Sequence, residues 1–400
     1  MRPDGSSRPP AATRPSQARS SWSARSPADR PGLKIIIIGG GIMGLCSAWA
    51  LRRAGHQVTL YEQGPIPNPL GSSFDQHRLI RYTYGDMTGY ARMVALAYTA
   101  WQRLWDDLGR SHYRETGTLA IAREPDDWVR QSRQCLADMG VPFEIWQPDQ
   151  IAARLPFLDL GSPRYALYTP SGGVLFAERI LGDLADQLRA RGAAVHSATP
   201  VRDLDPARAT VRLEDGRRDS ADLLIVAAGP WTARLMPQMA AQITPSRQVA
   251  AYLEPPAEQI EAWRRAPAVL DQLEATGGGF YAVPPVDGTA LKVGDHGFSL
   301  QGDPDRDREP TAEDIAAALA VARRRLAGFE RYRVQGARTC FYSVTETERF
   351  FALPIERAWV LAGFSGHGFK FGAVIGEMLA QTVDGARAPG ALTDWAAGRA

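Results

Sequence analysis

The sequence predicts an α/β fold of two domains, in which a domain with a parallel sheet is discontinuous and a second domain with a mixed sheet is inserted into it. A strand, a Gly-rich turn, a helix and a second strand occupy Leu33–Glu62, a unit of about thirty residues. Buried-strand patterns return only after long intervals, at Leu223–Gly229 and Ala358–Ala362. Between these two strands, Ile243–Cys340 mixes strands and turns with one charged helix, Ala312–Leu326.

The chain has 400 residues, enough for two domains with sizeable cores. The first domain should comprise residues 33–113, 172–232 and 345–400, and the second, of α+β type, residues 114–171 and 233–344. Residues 1–32 read as a disordered tail, because they are rich in Ser, Arg, Pro and Ala and nearly devoid of apolar side chains besides Trp22.

Composition and charge exclude several classes of protein. The formal net charge of +2 provides no general attraction to nucleic acid or to an anionic membrane. The longest unbroken aliphatic run, Ile35–Ile38, is far too short to span a bilayer. Cys46, Cys135 and Cys340 form no CxxC pair, so neither a metal site nor a disulfide framework is expected. Such cysteine usage fits a reducing cytoplasm. We also expect the protein to be a monomer.

The motif Gly39-x-Gly41-x-x-Gly44 lies between the first strand and a helix expected over Leu45–Ala54. In a dinucleotide-binding unit the first glycine permits the tight turn, the second lets the backbone approach a pyrophosphate, and the third allows close packing of helix and strand. The helix N-terminus would present backbone N–H groups and its positive dipole end to the phosphates. The turn residues placed to do so are Ile42 and Met43. The pattern predicts a Rossmann-like dinucleotide site.

Glu62 ends the second strand, 18 residues after Gly44, where a carboxylate can accept hydrogen bonds from ribose hydroxyls. A Gly-rich turn without a ligand is the alternative, but it does not explain an acid at this spacing. The fingerprint by itself does not separate FAD from NAD. The strand Leu223–Gly229 favours FAD, because it is similar to the late strand that closes the FAD site in flavoproteins of the two-dinucleotide type. There a glycine, here Gly229, lets the chain pass near the cofactor.

The remaining elements follow from the spacing of apolar residues. Apolar side chains recur at helical intervals over Gly89–Leu108, which predicts a long amphipathic helix whose aromatic residues belong to the core. The other expected elements are strands at Thr116–Ala122 and Ala166–Thr169, a helix over Ala177–Gly192, strands near Ala194 and Val211, and a closing helix to about Val383.

Four further segments carry a resemblance to a known family. They are Gly71–Arg81, Leu291–His296, Cys340–Tyr342 and Gly363–Phe371, and with the fingerprint they span nearly the whole ordered chain in the family's order. On these segments the chain resembles the D-amino-acid oxidase superfamily, and within it the branch of monomeric sarcosine oxidase and N-methyltryptophan oxidase. The Gly-rich segment Gly363–Phe371 is the most specific of the four.

The resemblance implies catalytic roles for the matched residues. Arg81 and Lys370 correspond to the pair that holds the substrate carboxylate, a task that suits arginine because its guanidinium offers a bidentate fork. Lys292 corresponds to the lysine that lies near flavin N5 through a water molecule and promotes the reaction with oxygen. The residues implied to surround the substrate amine are His296, Tyr342 and Tyr281.

Other matched residues are implied to hold FAD. Arg78 resembles the arginine packed near the flavin ring, and Ser72 lies in the same segment along the flavin. Cys340 resembles the cysteine that forms a thioether to the flavin 8α-methyl, which would make the FAD covalent. Before the last helix, backbone N–H groups could bind the flavin carbonyls. The matched residues of this turn are Gly366, Gly368 and Lys370.

Each assignment has an alternative without a function. Arg78 and Arg81 could be surface charges, because arginine is mostly exposed in proteins. Lys292 could mark the solvent face of a strand, His296 could be an ordinary turn histidine, and Cys340 could be a core residue of a strand.

The chain also departs from the family. Phe74 and His77 stand where sarcosine and N-methyltryptophan oxidases have residues resembling His and Thr, in a stretch that borders the flavin. The region 266–279, which should help to shape the side-chain pocket, matches the family poorly. The identity of the substrate therefore stays open.

These features predict an FAD-dependent oxidase of a secondary amino acid, N-methyl or cyclic, with O2 as its second substrate. The C–H bond next to nitrogen would give a hydride to flavin N5, the imine would hydrolyse, and O2 would reoxidise the flavin to give hydrogen peroxide. One alternative is a dehydrogenase of the same superfamily that passes electrons to another carrier. A second is a non-catalytic FAD-binding subunit. A plain NAD-binding dehydrogenase fits the sequence less well.

Overall fold

The computed structural model describes residues 32–272 and 279–399. The tail predicted as disordered, residues 1–32, lies outside the described residues except for Gly32. The strands are β1 (Lys34–Ile38), β2 (Gln57–Tyr61), β3 (Arg78–Ile80), β4 (Tyr113–Glu115), β5 (Thr118–Ala122), β6 (Glu144–Trp146), β7 (Tyr165–Thr169), β8 (Gly173–Leu175), β9 (Ala194–His196), β10 (Val201–Asp205), β11 (Thr210–Leu213), β12 (Arg218–Ser220), β13 (Leu223–Val226), β14 (Thr244–Glu254), β15 (Ala268–Asp271), β16 (Phe280–Val283), β17 (Leu291–Gly294), β18 (Arg333–Val344), β19 (Phe351–Ile355) and β20 (Ala358–Ala362). The α-helices are α1 (Ile42–Arg53), α2 (Thr88–Leu108), α3 (Trp128–Asp138), α4 (Pro148–Arg154), α5 (Ala177–Ala190), α6 (Thr232–Leu235), α7 (Ile260–Arg264), α8 (Ala312–Arg323), α9 (Gly372–Val383) and α10 (Pro389–Ala396).

The first large sheet has six strands in the order β19-β20-β13-β1-β2-β9. Adjacent strands of this sheet run parallel to each other, except that β19 pairs antiparallel with β20. Ile35 and Ile37 of β1 pack into the core on one face, and Ile36 and Ile38 pack into the core on the other. Because both faces are covered, β1 is apolar at each of these positions instead of alternating, as is typical of parallel sheets.

Helices α1 and α9 cross in close contact beside this sheet. A Cβ atom at Gly376 would lie 2.4 Å from the carbonyl oxygen of Cys46, and one at Gly372 would lie 2.6 Å from Cγ1 of Ile42. No side chain fits at such distances, so glycines on α9 allow the two helices to approach. Helix α2, whose amphipathic pattern predicted it, also packs on α9, and its buried Trp101 donates from Nε1 at 2.7 Å to the carbonyl oxygen of Lys370 in the turn before α9.

The second large sheet has eight strands in the order β18-β14-β17-β16-β15-β5-β7-β6. The sheet is mixed, because β15 runs parallel to β5 whereas all the other adjacent strands of the sheet pair antiparallel. Its core packs beneath α8 around Trp263, Phe280 and Val321. Strand β18 pairs with β14 along its length, and its last residues, Tyr342 and Ser343, reach the cleft beside the first sheet.

The α/β fold class, with a mixed second sheet, is confirmed. The strands of the six-stranded sheet all lie within residues 33–113, 172–232 or 345–400, and those of the eight-stranded sheet within 114–171 or 233–344. The boundaries of the two domains themselves stay a prediction.

Several element ends differ from those expected. Helix α1 begins at Ile42 rather than at Leu45, because Gly44 is accommodated inside its first turn. Helix α8 ends at Arg323 rather than at Leu326. Helix α10 was not predicted; it is short and packs its Trp395 into the core that includes Ile35 and Ile37. In the described part of the chain, no helix is both long enough and apolar enough to cross a membrane.

Candidate active site

The turn between β1 and α1 has the geometry that its glycines predict. Gly39 has a φ of +110°, and a Cβ atom there would lie 2.3 Å from the carbonyl oxygen of Ala227 on the neighbouring strand. A Cβ atom at Gly44 would lie 1.9 Å from the carbonyl oxygen of Gly39. The first clash shows that the turn needs glycine, and the second shows that α1 packs directly against the strand end.

Glu62 lies at the end of β2 and is buried beside this turn. Its Oε2 accepts a hydrogen bond of 2.6 Å from the backbone N–H of Gly40, and its Oε1 accepts one of 2.7 Å from Nδ2 of Asn68. The backbone N–H of Gly64 donates to Oε1 at 3.0 Å. These bonds hold the carboxylate at the mouth of the Gly-rich turn, the position expected of the ribose-binding acid.

A cleft of about 1190 Å³, partly open to solvent, runs from this turn along the carboxyl ends of the parallel strands. The predicted cofactor residues that line it are Gly39, Gly41, Ile42, Met43, Glu62, Ser72, Arg78, Gly229, Gly366 and Gly368. Ligands of open α/β sheets bind in such a crevice. The Gly-rich cradle at one end and Arg78 with Gly366 at the other therefore fit an extended dinucleotide such as FAD.

A second cavity, of about 1520 Å³ and also partly open, adjoins the far end of this cleft. Arg78, Tyr342, Gly366 and Phe369 line both spaces. The structure brings together in the second cavity all the residues predicted as catalytic. They are Lys292, Arg81, Lys370, His296, Tyr342 and Tyr281. Lys370, which was also expected at the cofactor, lines this cavity and not the cleft.

Arg81 and Lys370 share one aromatic partner, Tyr84. The guanidinium carbon of Arg81 lies 4.8 Å from the centre of the Tyr84 ring, and Nζ of Lys370 donates to the Tyr84 hydroxyl at 2.9 Å. Nζ of Lys370 also donates to the carbonyl oxygen of His367 at 2.8 Å. Within the described ranges no carboxylate forms an ion pair with either cation. The two positive charges are thus gathered at one wall of the cavity with no carboxylate in contact, and Glu348, which lines the same cavity, acts on Arg81 from a longer distance.

Burial disfavours the charged forms of Arg81 and Lys370 when no anion is bound between them. Burial, with the nearby charge of Arg81, lowers the pKa of Lys370 well below its ordinary value. Burial lowers the pKa of Arg81 as well, although Tyr84 and Glu348 oppose the shift. An anion that enters the cavity would relieve both penalties, because it supplies the missing charge. The wall is therefore suited to bind a carboxylate.

His367, in the Gly-rich loop, positions this wall. The Tyr84 hydroxyl lies 3.2 Å from its Nδ1, and its Nε2 lies 3.1 Å from the carbonyl oxygen of Glu348. Burial lowers the pKa of His367 well below its ordinary value, so the ring is neutral. When Nε2 of His367 is protonated and donates to the backbone carbonyl oxygen of Glu348, Nδ1 can accept a hydrogen bond from the Tyr84 hydroxyl. The Tyr84 oxygen in turn accepts a hydrogen bond from Nζ of Lys370.

Lys292 lies on β17 and meets a partner that the sequence analysis does not include. Its Nζ lies 2.6 Å from Oδ2 of Asp75, and both side chains are buried. Arg78 also pairs with Asp75, while its second terminal nitrogen donates at 2.7 Å to the carbonyl oxygen of Ser72. Arg78 and Lys292 are therefore not surface charges, and both are tied to one carboxylate.

The remaining cavity residues offer a neutral, partly apolar surface. The rings of His296 and Tyr281 lie 5.5 Å apart. Burial lowers the pKa of His296 to about 4, so the imidazole is neutral near pH 7. Its Nε2 is buried without a hydrogen-bond partner among the described residues. Tyr342 lies against Gly366, where a Cβ atom would approach its ring to 2.4 Å.

Cys340 lies behind the wall of the cleft. Its Sγ is 3.8 Å from the carbonyl oxygen of Ser72, a residue that does line the cleft. Among the described residues, those lining the two cavities do not include Cys340 itself. The thiol is half-buried and free. Its position near the edge of the cleft leaves the thioether a prediction.

Sequence reasoning missed several residues of the site. Asp75 lies inside the matched segment Gly71–Arg81, and Tyr84 follows it by three positions, so proximity to that segment was an available signal. Ser73, whose Oγ accepts from the N–H of Ile42 at 3.0 Å, lies in the same segment. Trp128, over which Arg81 also lies, is far away in the sequence and carried no such signal.

The fold and the two joined cavities define a flavin-dependent oxidoreductase. The chain belongs to the family described as FAD dependent oxidoreductase, because the sequence profile of that family matches residues 34–382. The predicted family resemblance is thereby confirmed, and so is the class of enzyme.

Relatives and solved structures agree with this assignment. The chain is 28% identical to the monomeric sarcosine oxidase of Bacillus sp. (strain NS-129) over 358 residues, which cover 87% of this chain and 92% of the relative. It is 26% identical to the N-methyl-L-tryptophan oxidase of Yersinia pestis (strain Pestoides F) over 354 residues, which cover 86% of this chain and 93% of the relative. Its fold is similar to that of the L-proline dehydrogenase from P. horikoshii, with a TM-score of 0.78 at 19% identity and coverage of 92% of this chain and 97% of that one.

Proposed function

We propose that this protein is an oxidase of a small secondary amino acid, N-methyl or cyclic, that uses FAD and O2 and releases hydrogen peroxide. The observation that carries the proposal is the cationic wall of Arg81 and Lys370 around Tyr84, in a cavity that opens into the dinucleotide cleft. A substrate with a carboxylate on this wall would extend its amine towards the region where the two cavities meet.

The carboxylate would be the fixed end of the substrate. Arg81 can offer two parallel N–H groups and Lys370 a third, and charge-assisted bonds of this kind are about twice as strong as neutral ones. The neutral chain from His367 through Tyr84 holds Lys370 in place. The bond energy at this end would orient the rest of the molecule, which is how remote binding groups assist a reaction.

The amine would meet neutral partners. His296 is neutral near pH 7 because burial lowers its pKa to about 4, and its buried Nε2 can bond to an amine. Tyr281 and Tyr342 add ring faces and hydroxyls to the same cavity. A site of this kind favours an unprotonated amine, since burial disfavours charge here and raises the pKa of Asp295, the carboxyl group that lines the cavity beside His296.

FAD would be held by the Gly-rich turn, Glu62 and the segment around Ser72 and Arg78. When bound it supplies the redox chemistry, accepting a hydride from the C–H bond next to nitrogen and passing two electrons to O2. We propose that Cys340 anchors it through a thioether to the 8α-methyl, which would break the S–H bond and one methyl C–H bond and deliver the two electrons through the flavin to O2. Denaturation in acid should leave the yellow colour with the protein, and in Cys340→Ser the colour should move to the supernatant.

Lys292 would supply positive charge for the reaction with oxygen. It lines the second cavity next to Arg78, which belongs to both cavities. A fixed cation stabilises negative charge as it develops, because it needs no rearrangement at the moment of reaction.

We also propose that the protein acts as a monomer in the cytoplasm. The free state of Cys46, Cys135 and Cys340 supports a reducing compartment. Light scattering of the purified protein at several concentrations tests the monomer, and a mass of two chains would contradict it.

The deciding experiment is anaerobic bleaching of the visible absorption across a panel of amino acids, with peroxide measured after air is admitted. The panel contains sarcosine, N-methyltryptophan, pipecolate and proline, each beside its primary-amine counterpart where one exists and beside its carboxamide. We expect at least one secondary amino acid to bleach the flavin and then yield peroxide, and its carboxamide to bind far more weakly. Bleaching without peroxide would indicate a dehydrogenase, and an acid and amide that bind alike would remove the cationic wall from the site.

A further inference from the structure

Lys292 is held in a closed polar cluster that substrate binding does not explain. The cluster consists of Lys292, Asp75, Arg78, Tyr252 and His77. Nζ of Lys292 lies 2.6 Å from Oδ2 of Asp75. The Lys292 side chain is 8% exposed and the Asp75 side chain is 4% exposed. The partners come from β17 and from the loop before β3, so the contact joins the second sheet to the segment along the cleft.

Asp75 is saturated with donors. Besides Lys292 and Arg78, the hydroxyl of Tyr252 on β14 donates to its Oδ1 at 2.7 Å, and the backbone N–H of Gln76 donates to the same oxygen at 2.8 Å. Burial alone would raise the pKa of Asp75, but Lys292 and Arg78 outweigh it and hold the pKa below its ordinary range. The carboxylate is therefore charged, and it is the shared counter-ion of Lys292 and Arg78.

The other groups that face Lys292 do not replace Asp75. Burial lowers the pKa of His77 to about 4, so the ring is neutral near pH 7, and its Nε2 lies 3.3 Å from the carbonyl oxygen of Ala290. The ring centre of Tyr281 on β16 lies 5.8 Å from Nζ of Lys292. Cys340 on β18 also lies near Lys292. Burial lowers the pKa of Lys292 and Arg78 adds to that shift, while Asp75 opposes it. Among the described residues, Asp75 is thus the one carboxylate paired with Lys292.

We propose that Asp75 is a positioning residue, which keeps Lys292 protonated and fixed in the second cavity, beside Arg78 at the junction with the cleft, so that its charge is present when reduced flavin meets oxygen. This inference rests on the proposed function. A buried lysine beside an arginine tends to lose its proton, and a carboxylate at contact distance restores the charged form. Removing one partner of a buried ion pair also leaves the charge of the other partner uncompensated.

The test is Asp75→Asn in the FAD-loaded protein, with flavin reoxidation by O2 followed between about pH 6 and pH 9. We expect the natural protein to be nearly independent of pH over this range. In the variant, the pKa of Lys292 falls further, so reoxidation should slow about a hundredfold at high pH and recover as the pH is lowered. The affinity of the oxidised protein for sulfite, an anion that adds to the flavin, should weaken with the same pH dependence and needs no turnover.

Two controls separate this role from a structural one. Tyr252→Phe removes one hydrogen bond to Asp75 but neither charge, so its pH profiles should match the natural protein. In the double variant Asp75→Asn with Lys292→Met, reoxidation should be no slower than in Lys292→Met alone, because Asp75 acts through the lysine. The double variant leaves only Arg78 without its carboxylate, whereas Asp75→Asn leaves both Arg78 and Lys292 unpaired, so the double variant should fold more readily than Asp75→Asn.

The outcomes distinguish this inference from the proposed function. A flat profile in Asp75→Asn, or additive losses in the double variant, would overturn the role of Asp75 while substrate bleaching and peroxide leave the oxidase standing. If no amino acid bleaches the flavin, the proposed function fails, yet the sulfite affinities still report whether Asp75 governs the charge of Lys292.

Discussion

The second cavity is lined by two pairs of cations, each a buried lysine with a half-buried arginine, and the pairs differ in one respect. Lys292 and Arg78 share the carboxylate of Asp75, whereas Lys370 and Arg81 share only Tyr84, without a paired carboxylate in the described part of the chain. Burial lowers the pKa of both lysines, but at Lys292 the neighbouring Asp75 opposes the shift, while at Lys370 the neighbouring Arg81 adds to it. The surroundings of Lys292 and Arg78 stabilise their charged forms, whereas Lys370 and Arg81 can gain a counter-charge from a bound anion.

The largest expected effect comes from breaking the pair that keeps its charge. Lys292→Met should slow flavin reoxidation by O2 about a hundred- to a thousandfold, because a preorganised cation is removed from where negative charge develops. Flavin reduction by substrate should change only a few-fold. Stopped-flow measurement of the two half-reactions checks this, and equal losses in both would contradict the role of Lys292.

Breaking the other pair should act on binding. Arg81→Ala should raise the dissociation constant of the substrate by roughly 30- to 150-fold, because hydrogen bonds between charged groups contribute about 2–3 kcal/mol. Anaerobic titration of the flavin absorption measures the constant. Arg81→Lys, which keeps the charge and loses the fork, should lie in between, and the carboxamide of the substrate should bind all variants alike. Unchanged affinity in Arg81→Ala would remove Arg81 from the site.

The comparison is sharpened by pH. The ammonium form of Lys370 binds an anion, and its pKa in the empty site is low, so binding above that pKa must take up a proton. The dissociation constant of a simple carboxylate inhibitor without an amine should rise by up to about tenfold per pH unit above it. Lys370→Met should bind weakly at every pH. A constant that stays level in the natural protein while Lys370→Met loses affinity would show that Lys370 does not titrate.

The smallest effect concerns Gly366, in the wall between the two pairs. Gly366 has a φ of +78°, and a Cβ atom there would lie 2.4 Å from the Tyr342 ring, so Gly366→Ala should cost about 1–3 kcal/mol of stability and displace Tyr342. Gly229→Ala is the matched control, because its φ is +54° but a Cβ atom would meet nothing within 4 Å. It should cost about 1 kcal/mol. Melting followed by flavin fluorescence checks both, and equal losses would mean that the ring contact contributes nothing.

The predictable part of the site is local in the sequence. The strand, turn and helix around Gly39 and Gly44 are adjacent in the chain, so their spacing alone specifies the cradle. The start of α1 was less predictable, since glycine weakens a helix but Gly44 is tolerated in its first turn, where close packing needs it. Lys292 and Lys370 could be proposed as functional only from the family resemblance, because a lysine in a strand or before a helix looks the same whether it is exposed or buried.

By itself, the amino-acid sequence determined the nucleotide turn with its acid Glu62, the amphipathic helices, and the cations that a carboxylate substrate requires. Only the tertiary structure decided which partner each cation has. Asp75 and Lys292 are 217 positions apart, and Tyr84 and Lys370 are 286 apart, so both contacts depend on how two sheets and the Gly-rich loop pack together. The physical reason is that a buried charge is governed by the groups at contact distance, and residue spacing along the chain does not report those distances.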